Sequence, residues 1–426
     1  MTGELLILAL LALFALNMPI ALAIGLAAAA AILYQGEFSL MMVVQRMYAG
    51  TDSFHLLAVP LFMFVGELME AGGISRRIVD LAGSLVGWLP GGMAVVTVLS
   101  AMFFAGVSGS AAADAAAVGA ILIPAMKRSG YDSDFAASVQ AAGGSIGVII
   151  PPSIPMIIFG FLTGASIGQL FAAGILPGIL IGVTLMVTAS FISGRRGYAA
   201  GKAFSLAEVL SALKRGILPL GTPAIILGGI IFGVFTATES AAVAVVYTLF
   251  LGMVVYRAIK PRDLVPIVIK ASVTSAIVMF IIATASVFAW VAAMEDLPGR
   301  LSGLLLGLTK NPVALLLLAN LVLLVVGTIV ETSAALILLV PILTAMLPSL
   351  GIDLVHLGVI VVTNLAIGML TPPMGICLIV SGSISGDSLG AVSRRILPFL
   401  AVLLIDLLVI TLCPQLSLWM AGLVGK

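Results

Sequence analysis

The chain has 426 residues, of which 62% are hydrophobic and only 9% charged, and its formal net charge is +1. Soluble surfaces need charge on roughly a quarter of residues and disordered chains are polar and charged, so both classes are excluded. Two cysteines (Cys377, Cys413) and two histidines (His55, His356) cannot supply a disulfide framework or a multi-ligand His/Cys metal site, and a near-neutral chain does not bind nucleic acid.

What remains is an all-α polytopic membrane protein, in which 46 glycines and 20 prolines stand out. The N-terminus has no basic n-region, so no cleaved signal peptide is expected. Residues 4–34 form a first apolar stretch interrupted at Asn17-Met18-Pro19, because proline disrupts a helix interior. An amphipathic arm over 73–89 is expected to lie along a membrane face. Residues 91–126 are apolar but shorter than two spans of about 20 residues plus a turn. Their middle, Gly106-Val-Ser-Gly-Ser110, is a poor helix centre, which predicts a re-entrant hairpin.

Residues 135–163 form a span broken by Gly143-Gly-Ser-Ile-Gly-Val-Ile-Ile-Pro-Pro-Ser153, and 175–193 return. The next pair, 216–236 and 239–257, is interrupted at Thr236-Ala-Thr-Glu239, where Glu239 caps or tethers the following helix. Residues 271–294 cross again and lead to a second arm over 295–311. A second hairpin covers 312–347, with its tip near Gly327–Ser333. A second broken span, 355–385, contains Thr363-Asn-Leu-Ala-Ile-Gly-Met-Leu-Thr-Pro-Pro373, and 396–415 form the last span. Lysines and arginines cluster at 76–77, 127–128, 195–202, 214–215, 257–270 and 394–395. Placing these loops in the cytoplasm puts 15 of the 19 bases inside and leaves Arg46, Arg300, Lys310 and Lys426 outside. Both termini are then periplasmic.

The halves repeat. A shift of 221 aligns Gly147 with Gly368 and Pro151-Pro152 with Pro372-Pro373, and a shift of 217 aligns Asp114 with Glu331. Of six prolines between 90 and 177, five find proline partners, well beyond chance for so rare a residue. Pro124 is followed by Lys127 and Arg128, whereas Pro341 is followed by no base before Asp353. Basic loops in one copy match uncharged loops in the other, the mark of inverted-topology repeats. The boundaries are 1–210 and 211–426.

Non-helical backbone at membrane depth must be buried in protein or line a wet cavity. Pro-Pro removes two donors and forbids helix just upstream, and glycine lets freed carbonyls turn toward a ligand. Each hairpin tip with its neighbouring break therefore offers oxygens suited to a hard monovalent cation, with an anion site between the two pairs. The candidates are Gly106, Ser108, Ser110, Gly143 and Gly147 in the first half and Gly327, Thr328, Thr332, Ser333, Thr363 and Gly368 in the second. Ser145, Pro152, Ser153, Asn364 and Thr371 are further candidates at the same two breaks. The competing reading is that Ser and Thr in membrane helices bond back to their own helix. Asp114 and Glu331 are costly acids in apolar runs, suited to a cation site or to holding the hairpin, the alternative being a cap on their own helix. Asp406 lacks a symmetric partner and is expected to face a neighbouring subunit. His55 and His356 are expected at the interface, the cysteines as apolar filler, and Trp88, Trp290 and Trp419 in interfacial belts.

Several runs resemble the large membrane subunit (DctM type) of tripartite ATP-independent periplasmic (TRAP) transporters. They are Phe104-Ala-Gly-Val-Ser-Gly-Ser-Ala-Ala-Ala-Asp114, Ile123-Pro-Ala-Met126, Ile149-Ile-Pro-Pro-Ser-Ile-Pro-Met156, Pro60-Leu-Phe-Met-Phe-Val-Gly-Glu-Leu-Met69, Phe235-Thr-Ala-Thr-Glu-Ser-Ala-Ala242 and Leu370-Thr-Pro-Pro-Met-Gly375. The resemblance covers essentially the whole chain. It implies an ion-transporter-like elevator fold in the bacterial inner membrane, a separate small four-helix membrane subunit and a periplasmic substrate-binding protein. It also implies import of an organic acid such as a dicarboxylate or sialic acid, with sodium as coupling ion and no cofactor. Carried over by position, the Ser108/Ser110 tip with the Gly143–Ser153 break forms one sodium site, and the Gly327–Ser333 tip with the Thr363–Thr371 break the other, while Ser153 and its surroundings, with Ser145, Pro152, Asn364 and Thr371, face the substrate. The alternative is a self-sufficient ion-coupled anion transporter of the same architecture. An intramembrane enzyme finds no support, since no histidine lies near a serine nucleophile, and paired hairpins suit alternating access better than a channel.

Overall fold

The computed structural model describes residues 2–198, 203–309 and 311–424, with residues 347–350 described in backbone alone. Lys202, Lys310 and Lys426, counted among the bases above, lie outside the described residues. The described residues form twenty α-helices and no strand. Helices α1 (Thr2–Ala15) and α2 (Ile20–Gln35) are separated at the Asn17–Pro19 interruption and pack on each other as a short hairpin. After α3 (Met41–Thr51), α4 (Ala58–Ala71) and the short arm α5 (Ile74–Val86) lead into a helical hairpin of α6 (Gly92–Ser108) and α7 (Ala111–Arg128). The first broken helix is α8 (Ser133–Ser145), a tight turn over Ile146–Val148 and α9 (Ile154–Thr163), followed by the long α10 (Ile167–Arg195).

The second series runs α11 (Leu206–Ile231), α12 (Ala237–Phe250), α13 (Leu264–Met294) and the arm α14 (Leu297–Leu308). A second hairpin, α15 (Pro312–Gly327) and α16 (Thr332–Leu350), precedes the second broken helix, α17 (Leu354–Gly368) and α18 (Ile376–Ser385). Helix α19 (Leu389–Leu412) ends at Cys413-Pro414, and α20 (Gln415–Ala421) turns back onto α10 and α17, a segment the sequence pattern did not announce.

Local chemistry explains the helix starts. Ser166 accepts from the Gln169 N–H at 3.3 Å to cap α10, Asn311 from Val313 at 2.9 Å to cap α15, and Asp353 from Val355 at 2.8 Å to cap α17. Each satisfies an amide the helix itself cannot. At the start of α12 the expected role of Glu239 is realised as a capping box. Its carboxylate accepts from the Thr236 N–H at 2.8 Å, and Thr236 Oγ1 accepts from the Glu239 N–H at 3.3 Å.

Among the described residues, six helices are long and apolar enough to cross a membrane. Their outward sides carry large aliphatic and aromatic residues, among them Val187, Phe191, Val273, Ile277 and Ile405, all exposed. So continuous an apolar exterior suits lipid rather than water. Inside, the two broken helices interlock crosswise. Helix α9 packs on α16 and α17, while α18 packs on α7 and α8. The half after each break therefore lies against the other half's hairpin.

Three of the basic clusters converge on one end of this core. Arg395 Nε donates to Asp134 at 2.7 Å, Arg196 pairs with Asp132 at 3.0 Å, and Lys127 Nζ donates to the Ser385 carbonyl at 2.8 Å. Two expectations are corrected. Asp406 is buried rather than turned outward, because Thr184 on α10 donates to its carboxylate at 2.6 Å. His356 is buried rather than interfacial, with Nδ1 3.3 Å from Ser417 Oγ and Nε2 3.4 Å from the Thr411 carbonyl. Both groups found remote polar partners that local sequence does not display.

Candidate functional site

At the first tip, α6 ends at Ser108 and Gly109 turns the chain with φ +65°, the left-handed backbone glycine favours. A Cβ there would stand 2.9 Å from the Pro152 carbonyl oxygen. The Gly109 carbonyl accepts from the Ile154 N–H at 3.2 Å, tying the tip to the second residue beyond Pro151-Pro152. Ser110 caps α7, accepting from the Ala113 N–H at 3.5 Å, and its own N–H donates to Ser108 Oγ at 3.2 Å. Ser108 donates to the carboxylate of Asp114, which is wholly buried in the first turn of α7. The other Asp114 oxygen has no partner. A Cβ on Gly147 would collide with that oxygen, so glycine is what allows the break to lie against the acid.

The rest of the first break is packed shut. Ser153 donates to the Val148 carbonyl and accepts from the Met156 N–H at 3.3 Å, closing the start of α9. Ser145 bonds back to Ala142 at 2.8 Å. Pro151 and Pro152, joined by a cis bond, are buried. Gly143 lies within α8 against Ala101, and Gly106 lies inside α6 against Pro223 on α11 rather than at the turn.

At the second tip, Thr328 bonds back to Val325 at 2.8 Å and its carbonyl accepts from the Met374 N–H at 3.2 Å. Again the tip is tied to the segment after Pro-Pro. Gly327 abuts Gly368, whose Cβ would come 2.7 Å from the Gly327 carbonyl group. Glu331 accepts from the Ser333 N–H at 2.8 Å and the Ala334 N–H at 3.3 Å, and Ser333 Oγ donates to it at 3.1 Å. This acid caps its own helix, α16. Thr332 Oγ1, Thr363 Oγ1 and Asn364 Oδ1 are buried without a partner. Thr371 bonds back to Ile367 at 3.0 Å, and Pro372, Pro373 and Met374 are exposed.

The candidates therefore gather into two tip–break pairs, with Gly106 and Gly143 standing in helix–helix contacts beside the first. Two amides were missed. Gln140 Nε2 donates to the Asp114 carbonyl at 3.1 Å, and Asn320 receives the Asn364 amide at 2.9 Å. A lone amide inside an apolar helical run was the available signal for both, since it is costly there unless paired. A cavity of about 50 Å³ adjoins the first tip between Ser108, Ser110, Phe104, Glu67 and Thr274. A larger one, about 920 Å³, lies between α5, the base of the first hairpin and α11, and carries Arg76, Asp80, Arg128, Glu208 and Arg215. Buried oxygens left without donors are acceptors in waiting. Such neutral oxygens, with at most one carboxylate, suit a hard cation of low charge.

Residues 7–416 match the family described as the DctM component of the tripartite ATP-independent periplasmic transporter. The chain is 41% identical over 402 residues to the sialic acid TRAP transporter large permease protein SiaM of Vibrio cholerae, covering 94% of each chain. It is 40% identical over 407 residues to the isethionate TRAP transporter permease protein DctMQ of Oleidesulfovibrio alaskensis, covering 95% of this chain but only 64% of that longer relative, just under two thirds of its length. In fold it is similar to the YdaH transporter of Alcanivorax borkumensis, with a TM-score of 0.64 at 14% identity over 92% of this chain and 90% of that one. Taken with the apolar exterior, the match makes this an integral membrane protein, and the chain belongs to the DctM family of TRAP transporter large permeases, which are transporters and not enzymes.

Proposed function

We propose that this chain is the transport subunit of an importer for a small organic acid, driven by a sodium gradient. The observation that carries this reading is the paired architecture of tip and break. Each hairpin tip is tied through its backbone to the segment after its neighbouring Pro-Pro, at Ile154 in the first pair and Met374 in the second, and each pair holds at least one buried oxygen without a partner. One sodium ion is assigned to each pair, at Ser108, Ser110, Asp114 and Gly147 and at Gly327, Thr332 and Thr363, and Asn364, expected to face the substrate, is reassigned to the second ion because its Oδ1 is buried without a donor. The anion is assigned to the space between them, near Ser153 and Thr371. Relatives named for sialic acid and for isethionate, at similar identity, support an acid of some kind rather than a particular one.

The halves are read as inverted repeats in the inner membrane, with both termini periplasmic. Hairpins and broken helices move as one body against the remaining helices, in an elevator-type exchange of access. Crosswise packing of α9 and α18 favours such a unit. The cavity carrying Arg76, Arg128 and Arg215 is read as the cytoplasmic vestibule, where three guanidiniums hold a local attraction for a departing acid. A small membrane subunit and a periplasmic binding protein complete the transporter.

Reconstituted vesicles test this. Uptake of carboxylates and sulfonates, including sialic acid and isethionate, is measured with an imposed sodium gradient, with and without the binding protein. One acid is expected to accumulate only when gradient and binding protein are both present. Full-rate uptake by this chain alone would instead favour the self-sufficient transporter.

A further inference from the structure

A chain of side-chain hydrogen bonds runs through the interior of the second half. Asn320 on α15, Asn364 on α17 and Thr411 near the end of α19 are all buried. Thr411 Oγ1 donates to the Leu407 carbonyl at 2.7 Å, and Asn320 Nδ2 donates to Thr411 Oγ1 at 2.9 Å. Asn364 Nδ2 donates to both the carbonyl and the side-chain oxygen of Asn320, each at 2.9 Å.

The direction of every link is forced. A main-chain carbonyl can only accept. Leu407 takes the single hydroxyl proton of Thr411, so the hydroxyl oxygen must accept from Asn320. That turns the Asn320 amide with its oxygen toward Asn364. Two acceptors of Asn320 then face Asn364, and its NH₂ group must lie between them. The consequence falls on the far end, where Asn364 Oδ1 is left buried and without a donor. A bare acceptor in the interior is costly unless something occupies it. Asn364 stands one helical turn before Gly368, which abuts the tip at Gly327. Its neighbour Thr363 and the tip residue Thr332 also carry unpartnered buried oxygens.

We propose that Asn320 is a positioning residue. Through the polarised chain anchored on α19, it fixes the Asn364 amide with its oxygen presented as a ligand for the coupling cation. This rests on the sodium reading above. Asn320 touches neither substrate nor ion and acts by orientation, so its loss weakens cation binding more than turnover. His356, whose ring meets the Thr411 carbonyl at 3.4 Å, holds the same anchor from α17.

The test is uptake by the complete reconstituted transporter as a function of sodium concentration, for wild type, Asn320→Leu, Thr411→Val, the double variant and Asn364→Leu. Losing one of the two hydrogen bonds on the Asn364 amide is expected to raise half-saturating sodium about fivefold in Asn320→Leu. The shape-conserving Thr411→Val raises it about twofold, because it removes the anchor only indirectly. Maximal uptake at saturating sodium stays within about twofold of wild type. The double variant matches Asn320→Leu, because the second substitution breaks a chain already broken. Unchanged half-saturation in both single variants, beside loss of uptake in Asn364→Leu, would overturn the role of Asn320 alone. Sodium-independent wild-type uptake, or normal uptake by Asn364→Leu, would overturn the cation reading and this role together. If Asn320→Leu does not assemble, Thr411→Val decides, and a wild-type sodium response in it refutes the proposal.

Discussion

The two tip–break pairs occupy matching places in the chain, yet their chemistry differs. In the first, the tip acid Asp114 faces across to Gly147 with one carboxylate oxygen unengaged, and the Pro-Pro segment behind it is buried. In the second, Glu331 is fully engaged in capping α16, and neutral oxygens on Thr332, Thr363 and Asn364 are the unengaged ones. Pro372, Pro373 and Met374 there are exposed. Alignment of Asp114 with Glu331 suggested one role for both acids. Helix position separates them: Glu331 stands just before α16, where its carboxylate meets the amides of Ser333 and Ala334, while Asp114 lies inside the first turn of α7, past the cap at Ser110, and is held by Ser108. A place inside the helix rather than at its cap separates a carboxylate offered to a ligand from one spent on a helix end.

Substitutions can break or sharpen that contrast. The largest effect is expected from Ser110→Leu or Asn364→Leu, each of which should abolish uptake while the purified assembly retains its size and yield. Next comes Asp114→Asn, which removes the tip carboxylate of the first pair and should lower uptake at least about tenfold, a loss above 1.4 kcal/mol in ion or transition-state binding. Glu331→Gln should retain most uptake, because an amide oxygen can still accept from Ser333, and should cost about 1 kcal/mol of stability as a weakened cap. Equal effects of the two acid substitutions would erase the distinction. Gly147→Ala and Gly368→Ala each force a methyl into a tip–break contact and should destabilise by about 1–3 kcal/mol, read as a fall in melting temperature. The smallest effect belongs to Glu239→Ala, which breaks the capping box far from either pair. It should lower the melting temperature only slightly, with uptake unchanged.

Hairpins, breaks and arms were legible because glycine and proline mark them. Predicted hairpins at 91–126 and 312–347 appear as Gly92–Arg128 and Pro312–Leu350, and the two breaks appear at their Pro-Pro pairs. Local sequence determines such interruptions, since a missing N–H or a positive φ acts on its own residue. Asp406, His356 and Asn320 were not legible in the same way. Their partners Thr184, Thr411 and Asn364 lie far along the chain. Only tertiary packing brings those groups together, and a lone polar residue in an apolar run says that a partner exists without saying which. Gly106 and Gly143 illustrate the converse, because the close approach of two helices calls for glycine as strongly as a turn does.

The most direct measurement is the melting temperature of the purified assembly as sodium replaces potassium at constant ionic strength, for wild type, Ser110→Leu, Asn364→Leu and the double variant. A ligand that binds only the folded state raises stability with its concentration. Wild type should be stabilised progressively by sodium, each single variant should lose part of that rise, and the double variant should lose all of it. A double variant stabilised by sodium as strongly as wild type would contradict a cation site at the two tip–break pairs.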